Sequence, residues 1–179
     1  MESDLEKILL HKDEIHRRVC QLGAEIAEHY DSRDGGLTLV PILSGSIIFL
    51  ADLIRELPMK MKIALVQVSS YRDQVTPGEP QTLMNLSGEV RGRHVLIVDD
   101  ILDTGGTLRR VQAMLLTHQP ASLATTVLLR KPDKAPPDVP VDFVGFDIDD
   151  LFVVGYGLDF DNLYRNYPHI GVLKAELLP

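Results

Sequence analysis

Apolar residues recur at intervals of three and four through Ile15, Val19, Leu22, Ile26 and Tyr30, the spacing that lines one face of an α-helix. This predicts a helix over roughly residues 12 to 31, stopped by "RDGG" (33–36). "LTLVPIL" (37–43) reads as a buried strand rich in β-branched and aliphatic residues. "SGS" (44–46) then turns into an apolar helical segment ending near Leu57 and Pro58. "KIALVQV" (62–68) and "HVLIV" (94–98) are the next strands, and a helix follows the second from about Thr107 to His118. "SLATTVLL" (122–129) and "VDFVGF" (141–146) complete the set. Strands alternating with helices imply βαβ units, so the expected class is α/β with a mostly parallel, twisted sheet flanked by helices. No repeat, low-complexity tract or linker breaks the chain, and residues 1–179 are expected to form one domain.

One stretch departs from both periodicities. "YRDQVTPGEPQT" (71–82) carries two prolines, a glycine and several charges, with no apolar face. Such a segment is either a solvated hairpin tip or a lid over a site. The most apolar run, "LTLVPILSGSIIFLADLI", is interrupted by Pro41, Ser44, Gly45, Ser46 and Asp52, so it reads as strand, turn and helix rather than a membrane span. The opening "MESDLEKILL" has neither the basic start nor the cleavage site of a signal peptide. Cys20 is the only cysteine, which rules out an internal disulfide and fits a reducing, cytoplasmic setting. A net charge of −8 argues against broad binding to nucleic acid.

The chemistry concentrates in "VLIVDDILDTGGTLRRV" (95–111). Ligands of parallel sheets bind beyond the carboxyl ends of the strands, where Asp99 to Thr107 are expected. Gly105 and Gly106 let backbone N–H groups approach an anion, and the helix behind them offers its positive end. Thr104 and Thr107 add hydroxyls, one of which is expected to cap that helix. Neither G-x-x-x-x-G-K-[ST] nor G-x-G-x-x-G occurs, so the ATPase loop and the dinucleotide fingerprint are absent. A plain strand-to-helix turn remains the alternative for Thr-Gly-Gly-Thr alone. Asp99 and Asp100 would be unfavourable beside a phosphate unless they address something else. Sugar hydroxyls and Mg²⁺ both suit carboxylates. Asp103 is then free for proton transfer, one helical turn from Asp99 if the backbone coils there.

"VLIVDDILDTGGT" resembles the phosphoribosyl-pyrophosphate signature of the type I phosphoribosyltransferases, and the likeness continues through "PILSGSIIFLADLI", "VSSYRD", "LLRKP" and "FVVGYGLDFDNLYRN". The later segments are most similar to the hypoxanthine/guanine branch. The resemblance implies a small hood built from N- and C-terminal segments above the sheet. It also implies that Asp99 and Asp100 hold the ribose hydroxyls directly or through Mg²⁺, and that Thr104, Gly105, Gly106 and Thr107 cradle the 5′-phosphate. Asp103 is implied as general base toward purine N7, and Lys131 as the group that reaches the oxygen on C6. Phe152 would stack on the purine, the Val153 backbone would read the base edge, and Asp159, also near the base, would hold a second Mg²⁺. Arg165 would engage pyrophosphate, together with the loop Leu43, Ser44, Gly45 and Ser46 and its non-proline cis peptide between Leu43 and Ser44. Ser70 and Tyr71 would begin the lid.

Each assignment has a plainer alternative: a solvated Lys131, a core Phe152, a turn-capping Asp159, a surface ion pair for Arg165. One departure stands out, because many members of the branch carry Lys where this chain has Ser44. The resemblance implies phosphoribosyl pyrophosphate and a 6-oxopurine as substrates and a homodimer or homotetramer, with no nucleic-acid or membrane partner. Two rivals share the signature. An RNA-binding attenuator of pyrimidine operons usually has an aromatic residue in place of Asp103 and needs a basic face. Adenine-specific members typically carry Ala there. No H-E-x-x-H or Cys/His cluster offers a transition-metal site, and no G-x-S-x-G elbow supports a hydrolase.

Overall fold

The computed structural model describes residues 1–31, 34–67 and 87–178. Its elements, in chain order, are β1 (Leu5–Leu10), α1 (Lys12–Tyr30), β2 (Leu37–Leu43), α2 (Ile47–Glu56), β3 (Met61–Ile63), β4 (Val66–Gln67), α3 (Ser87–Val90), β5 (His94–Leu102), α4 (Gly106–Thr117), β6 (Ser122–Arg130), β7 (Phe143–Asp147), β8 (Val153–Val154) and β9 (Ile170–Leu173). Among the described residues two sheets form. The larger has the order β3-β2-β5-β6-β7, with every pairing parallel, and β4 also pairs with β2. The smaller is antiparallel, in the order β1-β9-β8.

Alternation along the central strands decides how the large sheet is covered. Leu39, Leu96 and Val98 point into one core with α1 and α2, whose contributions include Ile15, Leu22, Ile26, Phe49 and Leu53. Val40, Ile42, Val95 and Ile97 point the other way, against Leu108, Val111 and Leu115 of α4. Burial on both faces explains why these strands read as unbroken apolar runs. The predicted stripe of α1 is buried in full, from Ile15 through Tyr30. Glu14 accepts a hydrogen bond from the His11 backbone N–H at 3.1 Å, closing the helix start.

Three expectations need correction. "KIALVQV" is not one strand but two short pieces, β3 and β4, which keep a single register against β2. That register sets Ala64 and Leu65 opposite Val40 and Pro41, and a proline has no N–H to give the ladder. Secondly, β5 does not end at Val98. It continues through Asp99 and Asp100 to Leu102, paired with β6 as far as Arg130. The backbone is therefore extended between Asp99 and Asp103, and the helical turn envisaged between them is absent. Thirdly, periodicity gave no sign of β1, β8 and β9, which are short or half-exposed. They match the hood implied by resemblance, with an N-terminal strand paired to a C-terminal one.

Leu96, fully buried on the central strand, tests this layering. Leu96→Ala is expected to lower the unfolding free energy by about 2–5 kcal/mol, measured by urea denaturation.

Candidate active site

β2 connects through α2 to β3 on one side, whereas β5 connects through α4 to β6 on the other. The winding direction therefore reverses between β2 and β5, and the chains leaving their carboxyl ends diverge to open a crevice there. A cavity of about 340 Å³ fills it, lined by Leu43 and Gly45 after β2 and by Asp99 to Leu108 along β5 and into α4. Thr104, Gly105, Gly106 and Thr107 all face this space, together with Asp99, Asp100 and Asp103. Residues Asp99 to Thr107, singled out by the sequence, are thus brought together at one edge of the sheet.

The cap of α4 differs from expectation. Gly105 is the N-cap, in the left-handed region at φ 72°, and no threonine hydroxyl bonds the helix end. Neither threonine hydroxyl is therefore occupied in capping the helix. A Cβ on Gly105 would lie 2.8 Å from Pro136 Cγ and 3.1 Å from Val139 Cγ2, so the turn is held from behind by the loop after β6. A Cβ on Gly106 would meet nothing within 4 Å. The empty space in front of the helix N-terminus is what an approaching oxyanion needs. Arg110 also lines the cavity, with its Nε donating to the Gly106 carbonyl at 3.2 Å.

Asp99 and Asp100 sit at the back. Asp99 is buried, and its carboxyl is held well above the usual range, first by burial and then by the charge of Asp100. The Asp100 carboxyl is also raised, with burial the largest cause. Each accepts a hydrogen bond from the next backbone N–H, at 3.1 and 3.0 Å. The Asp100 carboxylate lies directly on Gly45, where any Cβ would collide with it. The peptide between Leu43 and Ser44 is cis, as the resemblance implied. Ser44 itself is not among the cavity's lining residues, and the buried Ser46 hydroxyl donates inward to the Ile42 carbonyl at 2.6 Å.

Beyond Asp103 the site continues toward the hood. Lys131 Nζ is 3.1 Å from Asp103 Oδ2 and 3.1 Å from Asp150 Oδ1. Lys134 Nζ lies 2.8 Å from Asp150 Oδ2. Lys131 is buried, which a solvated loop lysine would not be. Phe152 is 42% exposed and meets Phe160 edge-on at 5.5 Å, so it is not a core side chain. Val153 pairs with Val172 in the small sheet.

Asp159 and Arg165 are not among the cavity's lining residues, although the Arg165 charge reaches Asp100 and acts to lower its carboxyl. Asp159 accepts the Asn162 N–H at 2.9 Å and pairs with Arg165 at 2.8 Å, while Arg165 also donates to the Gly157 carbonyl at 2.8 Å. Among the described residues, no group of three or more acidic, His or Cys side chains forms a metal cluster, so Asp159 is not brought together with Asp99 and Asp100. Ser70 and Tyr71, and the 71–82 segment, lie outside the described residues. Sequence reasoning missed Arg110, Lys134 and Asp150. Their signals were a basic residue one turn into the helix, a second lysine three residues after Lys131, and an aspartate just ahead of Phe152.

One strand-end crevice thus brings together paired aspartates, a glycine turn at a helix N-terminus and, beside them, a lysine–aspartate pair. The family model described as phosphoribosyl transferase domain matches residues 11–161, and the chain belongs to that family. Within it, the chain is 42% identical over 178 residues to the hypoxanthine-guanine phosphoribosyltransferase of Staphylococcus epidermidis, covering 99% of this chain and 98% of that one. It is 39% identical over 171 residues to the hypoxanthine phosphoribosyltransferase of Haemophilus influenzae, covering 94% and 96%. A crystal structure of a hypoxanthine phosphoribosyltransferase from Staphylococcus aureus superposes with a TM-score of 0.89 at 38% identity, covering 100% of this chain and 97% of that one. A mutant of the Trypanosoma cruzi hypoxanthine phosphoribosyltransferase, solved as a ternary substrates complex, gives 0.89 at 36% identity, covering 99% and 100%.

The two glycines separate packing from ligand space. Gly45→Ala is expected to cost about 1–3 kcal/mol through its clash with Asp100. Gly106→Ala is expected to leave stability within about 0.5 kcal/mol. Thermal unfolding of the two variants side by side checks both.

Proposed function

We propose that this chain is a purine-salvage enzyme. It transfers the 5-phosphoribosyl group from phosphoribosyl pyrophosphate to N9 of hypoxanthine or guanine, giving IMP or GMP and pyrophosphate. The observation that carries this reading is the pairing of Asp103 with buried Lys131 at 3.1 Å, directly beside the glycine cradle. A carboxylate next to an ammonium matches the N7–H and C6 oxygen of a 6-oxopurine, and the ammonium meets the amino group of adenine donor to donor.

The cradle of Thr104, Gly105, Gly106 and Thr107 receives the 5′-phosphate, and Arg110 adds positive charge there. Asp99 and Asp100 address the ribose hydroxyls. Two adjacent carboxylates with raised proton affinity form a hard-oxygen donor pair short of positive charge, which fits Mg²⁺, an ion that takes one or two carboxylates and completes its shell with water and substrate phosphates. Held by Asp99 and Asp100, such an ion would supply the positive charge that a leaving diphosphate calls for. Asp159 remains the candidate for a second Mg²⁺, which requires it to leave Arg165; Arg165 would then face pyrophosphate with the Leu43–Ser46 loop. Phe152 offers an exposed ring face for stacking, and Val153 presents backbone at the base edge.

In the reaction the C1′–oxygen bond to pyrophosphate breaks as N9 bonds C1′ from the opposite face. Asp103 takes the proton from N7, so the ring stays neutral as N9 donates its electron pair. Lys131 donates to the C6 oxygen, where electron density rises as N7 gives up its proton. Asp103 and the acidic net charge both speak against the RNA-binding attenuator. The assembly is a homodimer or homotetramer and the enzyme is cytoplasmic; among the described residues no helix is long and apolar enough to cross a membrane.

The decisive assay offers hypoxanthine, guanine, xanthine, adenine, orotate and uracil together, with phosphoribosyl pyrophosphate and Mg²⁺. Nucleotides from 6-oxopurines alone, lost on adding a chelator, are expected; product from uracil or from none of the bases refutes the reading. Asp103→Asn is expected to lower kcat by about 10²–10⁴-fold with little change in KM, and steady-state kinetics showing unchanged kcat would remove it as the base.

A further inference from the structure

Asp150 and Lys134 complete a four-membered charge cluster with Asp103 and Lys131, and its geometry is uneven. Asp150 holds both ammonium groups, Lys131 through Oδ1 at 3.1 Å and Lys134 through Oδ2 at 2.8 Å. Asp103 holds only one, Lys131 through Oδ2 at 3.1 Å. Lys134 stands 3.9 Å from Asp103 Oδ1, beyond hydrogen-bond reach, and that buried oxygen has no hydrogen-bond partner among the described residues. The turn after β6 fixes this spacing, because the Lys134 N–H donates to the Lys131 carbonyl at 3.0 Å and brings both lysines to one side. The Asp150 carboxyl is lowered by Lys134 first and then Lys131, and the Lys134 ammonium is raised chiefly by Asp150, so both stay charged at neutral pH.

An ammonium has three donors, and an ionised carboxylate has room for several. Lys131 spends two donors on Asp103 and Asp150 and keeps one. Asp103 spends one oxygen and keeps the other. Moving Lys134 inward by about 1 Å would bring it within hydrogen-bond range and cap the second oxygen, leaving Asp103 closed between two cations. Asp150 prevents this by engaging Lys134 at the shorter distance.

Resting on the phosphoribosyl-transfer reading, we propose that Asp150 is a positioning residue that restrains Lys134, so that Asp103 keeps an acceptor and Lys131 a donor for the purine edge. It touches no substrate and acts through the two lysines. Its removal therefore affects the base half-site and spares the sugar-phosphate half-site on the other side of Asp103.

The test compares Asp150→Asn with the double variant Asp150→Asn/Lys134→Met in the full-length protein. Asp150→Asn is expected to lower kcat/KM for hypoxanthine by about 100-fold, with KM for phosphoribosyl pyrophosphate changed less than about twofold. The double variant, with no cation left to close on Asp103, is expected to recover about tenfold of that loss. A purely structural role predicts further loss on the second substitution, so no recovery overturns the proposal, as does an unaffected single variant. A crystal structure of Asp150→Asn gives a readout independent of turnover: Lys134 Nζ is expected within 3.2 Å of Asp103 Oδ1, and a separation still near 3.9 Å overturns the proposal. Wild-type protein inactive in the same assay would defeat the transferase reading instead, leaving the crystallographic arm to decide this one.

Discussion

Gly157 packs against the carbonyl oxygen of Gly45, and Gly45 packs against the Asp100 carboxylate, so closely that a Cβ on either glycine would overlap its neighbour. This stack joins three separate parts of the chain: the turn after β8, the loop after β2 and the end of β5. Gly157 adopts φ +102°, a conformation open to glycine and strained for other residues. The Gly157 N–H is bonded to the Arg165 carbonyl at 2.9 Å, which ties Arg165 to the same point. The crevice between β2 and β5 would exist without this contact, because topology alone opens it. What the contact adds is the closeness of the hood, which draws the turn after β8 against the loop that lines the cavity formed by the sheet.

Two kinds of charge arrangement sit on either side of Asp103, and their contrast explains the division of labour. Asp99 and Asp100 are like charges pressed together at the end of a strand, each raised in proton affinity by burial despite backbone N–H groups and, for Asp100, the more distant charge of Arg165. Such a pair is uncomfortable by itself and favours a cation or hydroxyl-rich ligand. On the other side, Lys131 and Lys134 after β6, with Asp150 after β7, balance the charge of Asp103 itself and are largely hydrogen-bonded already. One half of the site thus has an unmet need for positive charge. The other has its charges met apart from a single donor and a single acceptor.

How much of this was legible in the sequence follows from the length scale of each feature. The helix Lys12–Tyr30 and the strand Leu37–Leu43 carry long unambiguous patterns and stand where periodicity put them. The boundaries of β5 were misread because two aspartates look like the end of an apolar run, whereas ladder bonds to β6 carry the strand through them. In the small sheet, β1 pairs with residues over 150 positions away and β8 is only two residues long, so no local pattern announces either. Within the site, the glycine cradle was readable because its chemistry is contiguous. Lys134 and Asp150 were not, since an isolated lysine and an aspartate near an apolar run have ordinary surface explanations. Only the fold brings them into one cluster with Lys131 and Asp103. Phe152 makes the same point in reverse: its run reads as core, and its place on the hood leaves it exposed.

The pairing of β1 with β9 also bears on the order in which the protein can be built. Among the described residues, β1 has β9 as its only strand partner, and Leu5 is matched to Leu173. During synthesis at roughly 5–20 residues per second, β1 would wait on the order of 8–30 s for its partner to be made. The parallel sheet and the glycine cradle involve residues only as far as β7, so they can assemble while the hood is still incomplete. A nascent chain would therefore acquire the glycine turn at the end of β5 before the hood, with Leu5, Ile8 and Leu10 left to the solvent or to a chaperone until β9 is made and the small sheet closes.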